Sequence, residues 1–168
     1  MGFLGGVLLV LAGTGMGLYA SHRLRRRVVF LETCGRLLQA LWQEMSYTAQ
    51  PLPVLWRRLA ECETFAAFPP VRDTVKGLET ASFSAAFSTA LEAAEREGVL
   101  LAEGRRLLTE FAAGCGRTDL TGQQAHIEYY RTLLAAEEEQ SRRVWQERGR
   151  VYRVLGVAGG MALMLLLI

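Results

Sequence analysis

The chain has 168 residues and a net charge of +2, enough for one ordinary domain. All 19 basic and 17 acidic side chains lie between Arg23 and Arg153, so residues 1–21 and 154–168 carry none. The near balance of charge in the middle gives no reason to expect a nucleic-acid partner. Three scattered cysteines, Cys34, Cys62 and Cys115, without a C-x-x-C pair, exclude a disulfide framework and read as small apolar core residues.

The first element is Gly2–Ala20, GFLGGVLLVLAGTGMGLYA, 19 uncharged and mostly apolar residues. As a helix it spans about 28 Å, close to the thickness of bilayer hydrocarbon. A cleaved signal has its positive charge before the apolar run. Here Arg23, Arg25, Arg26 and Arg27 follow it, the order of a retained anchor whose C-terminal flank stays inside. From Arg23 to Gln50 the apolar positions Leu24, Val28, Leu31, Leu38, Leu41 and Met45 recur at helical steps, with Gly35 in the gap. Leu37 and Trp42 widen that face. No proline intervenes, so this helix continues the first segment until Pro51 and Pro53 stop it.

Leu52, Val54, Leu55 and Leu59 indicate a second, short helix ending near Glu63. Phe65, Phe68, Pro69 and Pro70 form a turn or junction, with Pro70 suited to a first helical position. Val71, Val75 and Leu78 follow at helical spacing. Ser82 or Ser84 caps the next helix, whose buried face is Phe83, Phe87, Ala90, Leu91 and Ala94 and which Gly98 ends. Another helix carries Leu100, Leu101, Leu107, Leu108 and Phe111 and stops at Gly114-Cys115-Gly116. Thr118 or Asp119 caps the last helix, through Ile127, Tyr130, Leu133 or Leu134, and Val144. No stretch shows period-two alternation with β-branched residues, which argues against a sheet.

The chain closes with Val154–Ile168, VLGVAGGMALMLLLI, about 22 Å as a helix and short for a full span. Arg148, Arg150 and Arg153 guard its inner side, and Arg153 can snorkel toward head groups. Gly13 and Gly17, and Gly156 and Gly160, are G-x-x-x-G pairs that let membrane helices approach closely, as are Gly2 and Gly6. The expected fold is therefore all-α: an antiparallel bundle of about six helices between an N- and a C-terminal transmembrane helix. Residues 1–21 and 154–168 would be the spans and 22–153 a cytoplasmic domain, with both termini outside.

Catalytic signatures do not emerge. There is no phosphate-cradling G-x-x-x-x-G-K-[ST] and no G-x-S-x-G. His22 and His126 lie far apart and in no zinc spacing. His126 reads as a surface or junction residue. Glu137, Glu138 and Glu139 point in different directions around a helix, so they make no paired-carboxylate site. The expectation is a non-enzymatic membrane protein with no cofactor and no small-molecule substrate.

Four stretches carry a resemblance. They are the Gly-rich anchor ending in a basic run (GLYASHRLRRR, Gly17–Arg27) and the helix entering a proline pair (EMSYTAQPLPV, Glu44–Val54). The third is a small-residue turn with an Asp before a Gln-rich helix start (FAAGCGRTD, Phe111–Asp119, then Gln123, Gln124 and His126). The last is the Glu-rich helix ending in an apolar tail. In that order the sequence resembles the stage III sporulation protein AB family of spore-forming bacteria over essentially its whole length. It departs at Val54, where the family often has an acidic residue, and at Phe87, where Trp is common.

The resemblance implies a place in a complex that joins mother cell and forespore across two membranes, with this chain in the mother-cell membrane around the forespore. The family is similar to the inner-membrane platform protein of type II secretion and type IV pilus systems. It would dock a secretion-type ATPase of the same operon and meet other membrane components of the sporulation complex. Candidate partner contacts are Arg117, Asp119, Gln123 and Gln124 at the turn and the Glu137, Glu138, Glu139 face. The other reading is a regulatory membrane adaptor for a soluble signalling partner.

Overall fold

No proline falls before Pro51, and the first element is one α-helix, α1 (Gly2–Tyr47). Among the described residues six more follow: α2 (Leu52–Glu61), α3 (Glu63–Ala66), α4 (Pro69–Gly77), α5 (Phe83–Arg96), α6 (Ala102–Gly114) and α7 (Leu120–Leu167). This computed structural model describes the backbone of residues 2–48 and 50–167, and the side chains of 12–48, 50–152, 154–155, 158–159 and 161–162. Among the described residues there is no strand. The chain divides into two compact units, Met1–Val28 with Glu139–Ile168, and Val29–Glu138.

The larger unit is the bundle. The helical stripe read in α1 is buried at Leu31, Leu38, Leu41 and Met45, and Leu37 joins it. Phe30 and Cys34 are buried too and complete this face beside Gly35. Trp56 of α2, fully buried, sits edge-on to Phe83 at 4.9 Å and to Phe87 at 5.1 Å, while Phe83 and Phe87 stack at 5.7 Å. Offset and edge-to-face rings add to the area they bury. The predicted face of α5, Phe83 to Ala94, is buried throughout. Ser82 is its N-cap and accepts a hydrogen bond from the Ala85 N–H. In this unit α1 and α7 run antiparallel: Gln124, near the start of α7, donates to Ser46 Oγ near the end of α1.

Three local expectations change. The junction at Phe65 contains a one-turn helix, α3, because the Phe65 and Ala66 N–H groups both reach the Cys62 carbonyl at 2.9 Å. Pro69, not Pro70, takes the first position of α4; both prolines fall in the first turn, where a missing N–H costs nothing. Leu100 and Leu101 are not helical. Gly98, at φ 71°, reverses the chain, the Leu100 N–H reaches back to the Ala94 carbonyl, and Leu101 is the extended N-cap of α6.

The smaller unit pairs the first part of α1 with the last part of α7. Ser21 and Gly149 are buried, and a Cβ at Gly149 would stand 3.0 Å from Ser21 Oγ. The helices touch there because both residues are small. The expected flanking membrane helices find no support in the described residues: none of their helices is long and apolar enough to cross a membrane. The described charge-free part of α1 runs only from Ala12 to His22, and that of α7 is a few residues beyond Tyr152. The apolar runs 2–11 and 163–168, with Arg153, Gly156 and Gly160, lie outside the residues described in full.

Candidate functional site

The turn between α6 and α7 is the most elaborate polar region of the bundle. A helix leaves its last carbonyls without partners. At the end of α6 one of these, the Phe111 carbonyl, faces His126 Nε2 of α7 at 2.9 Å. A carbonyl only accepts, so Nε2 carries the proton and donates. The imidazole stacks on the Phe111 ring at 5.6 Å and tilts against Tyr130 at 4.8 Å. It also lies over Gly114, where a Cβ would come within 2.3 Å of Cε1. Glycine is required there by the ring.

Beyond Gly114 the chain turns through Gly116, at φ 78°, into the start of α7. Asp119 Oδ1 accepts the Gly122 N–H at 3.0 Å, an N-cap. Gln123 Nε2 donates to the Thr118 carbonyl at 2.9 Å, and Gln124 ties α7 to α1 through Ser46. Three of the four candidate contacts at this turn therefore hold the fold together. Arg117 is exposed. His126 is the residue whose role sequence reasoning missed; its spacing from a Gly-Cys-Gly turn was the available signal.

The three glutamates do not converge. Glu137 is half-buried, and its carboxyl is held above the ordinary range by burial and by Glu103 on α6. Glu103 itself is held lower by its hydrogen bond to Arg106. Glu138 lines a groove of about 420 Å³ between α1 and α7, with Leu31, Gly35, Leu134 and Ala135 along it. Glu139 is exposed and pairs with Arg143 at 3.1 Å.

Other chemistry is muted. Burial pushes the Cys34 thiol far up and the Cys115 thiol up to about 12, so neither is a nucleophile near neutral pH. Cys62 is exposed and its Sγ contacts the Arg58 carbonyl at 3.6 Å. Among the described residues no three ligating side chains gather to hold a metal.

In the smaller unit Gly17 is buried and Gly13 half-buried, while Arg23, Arg25 and Arg26 are exposed and Arg27 half-exposed. Large apolar side chains stand in the open beside them: Met16 at 75%, Leu18 at 53%, Val154 and Leu155 at 61% each. Tyr19 and Tyr152 are exposed as well.

A family model described as stage III sporulation protein AB matches residues 2–168. No curated protein and no solved structure matches the chain.

Two outcomes follow from the turn and the acidic face. Gly114→Ala drives a methyl into the imidazole and should destabilise the bundle by about 1–3 kcal/mol. His126→Ala costs a hydrogen bond and ring packing, and the double variant should lose clearly less than the sum, read in a denaturant cycle. Additive losses would separate the two residues. For Glu137, a raised carboxyl means that the folded chain holds this proton more tightly than the unfolded chain. Stability then falls as pH rises through the window above the ordinary glutamate value. Glu137→Gln should raise the denaturation midpoint at neutral pH and leave it unchanged in acid below that window.

Proposed function

Because the chain belongs to the stage III sporulation protein AB family, we propose that its part in sporulation is that of a membrane-held, non-enzymatic scaffold. In this reading the charge-free ends of α1 and α7 enter the mother-cell membrane around the forespore. The bundle faces the mother-cell cytoplasm and both termini face away from it. The bundle offers a docking surface to a secretion-type ATPase of the same operon and to the other membrane components of the complex.

One observation carries the membrane part: the order of side chains is the same on both long helices. Arginines come first, at Arg25 and Arg23 on α1 and at Arg148 and Arg150 on α7. An exposed tyrosine follows, Tyr19 or Tyr152, and then, past Arg153 on α7, exposed apolar residues without charge. That is the sequence of environments a helix meets on leaving cytoplasm for head groups and then hydrocarbon. A water-soluble helix has no reason to repeat it. Small residues at Gly13, Gly17, Gly156 and Gly160 are the close-packing positions of this reading, and Arg23, Arg25, Arg26, Arg27 and Arg153 set its orientation.

For the docking part, the turn analysis narrows the candidates. Asp119, Gln123 and Gln124 are committed to caps and ties, so a substitution there tests folding before it tests binding. Arg117 and Glu139 are exposed and are the contacts to alter first. The ATPase should co-purify with the full chain from detergent extracts. Arg117→Glu or Glu139→Lys should cut its recovery several-fold at unchanged helicity, and full recovery with both would remove these residues from the interface. A cytoplasmic reporter enzyme fused to either terminus should be inactive; activity from both fusions would reverse the topology.

A further inference from the structure

The charge on the smaller unit is nearly all of one sign. Arg23, Arg25, Arg26 and Arg27 lie on α1 and Arg142, Arg143, Arg148 and Arg150 on α7, against only Glu139 and Glu147 among its described residues. Glu139 is taken by Arg143. Arg23, Arg25, Arg148 and Arg150 are exposed, and no carboxylate pairs with any of them among the described residues. All four sit within about one helical turn of the contact between Ser21 and Gly149. They therefore form one level on the two helices, next to Tyr19 and Tyr152.

Geometry narrows what can neutralise them. Residues two apart on a helix point to nearly opposite sides. Arg23 and Arg25 diverge in this way on α1, and Arg148 and Arg150 do so on α7. A folded acidic partner approaches from one side and could reach only part of such a ring. Lipids surround a helix and reach all of it. The arginine fork matches phosphate oxygens in pairs, and the tyrosines beside it suit the head-group layer.

We propose that these four arginines form a collar that selects anionic phospholipids around α1 and α7 over zwitterionic ones. The proposal rests on the membrane reading above and adds a lipid class to it. The collar would gather phosphatidylglycerol-type lipid around the smaller unit.

The test uses the full chain reconstituted into phosphatidylcholine bilayers carrying spin-labelled phosphatidylglycerol or spin-labelled phosphatidylcholine. Lipid next to the protein gives a motionally restricted signal, and the ratio of the two association constants measures selectivity. We expect the anionic probe to be favoured by about fivefold or more at low salt, roughly the factor one basic residue contributes near an anionic surface. High salt should erase the preference, as it screens exposed charge. A variant with Arg23, Arg25, Arg148 and Arg150 all changed to Gln should bring the ratio near unity. A variant with the same charge removed from the bundle, at Arg57, Arg72, Lys76 and Arg96, should keep it. No preference in the native chain, or an undiminished one in the collar variant, would overturn the proposal. No restricted signal with either probe would overturn the membrane reading itself, and the collar with it.

Discussion

Each of the two longest helices carries on one unbroken backbone a stretch with no charged side chain and a stretch rich in charged ones. A helix of the first kind cannot satisfy water, and one of the second kind cannot satisfy hydrocarbon. In the reading proposed above, the same two helices meet both environments. Exposed Met16, Leu18, Val154, Leu155 and Met161 are the visible part of that demand. Isolated surface apolar residues are ordinary, but these gather on two helices that touch through Ser21 and Gly149. Our proposal of a bilayer around them follows from this constraint together with the family.

The bundle has to stay closed while its first and last helices lead elsewhere. Its apolar centre combines the leucine stripe of α1 with the Trp56, Phe83 and Phe87 rings. The α6–α7 turn does the closing work in polar terms. His126 covers the last turn of α6, Asp119 covers the first turn of α7, and Gln124 reaches α1. The stretch Phe111–Asp119 with Gln123, Gln124 and His126, which carries much of the family resemblance, is thereby explained as a clasp. A motif without catalytic logic has a structural one: the imidazole needs the room that only Gly114 leaves it. This separates residues that keep the shape from residues free to meet a partner.

Much of the fold was legible in the sequence because helices announce themselves by spacing and punctuation. The α1 stripe, the α5 face from Phe83 to Ala94, the Ser82 cap and the glycine ending at Gly98 were all readable from local rules. What was not readable depended on how particular side chains and turns pack in the folded chain. Thr74 is fully buried, which no propensity suggests; its hydroxyl is satisfied by the Pro70 carbonyl one turn back at 2.6 Å. Leu100 looked helical by its leucine neighbours, yet the left-handed Gly98 throws it out of the helix and into the core. A Cβ at Gly77 in α4 would meet the Ala86 Cβ at 2.7 Å, so this glycine marks the close contact of α4 with α5. The candidate contacts at the turn were found by motif, and only the hydrogen bonds reveal that most of them are engaged within the chain.

The central claim is that hydrocarbon holds both ends of this protein. Washing membranes from sporulating cells with high salt and then with alkaline carbonate, without detergent, tests it most directly. The account predicts that the intact chain stays with the membrane pellet through both washes and is released only by detergent. Release of intact protein by salt alone would contradict it, since arginines can be screened away from a surface but a buried helix cannot.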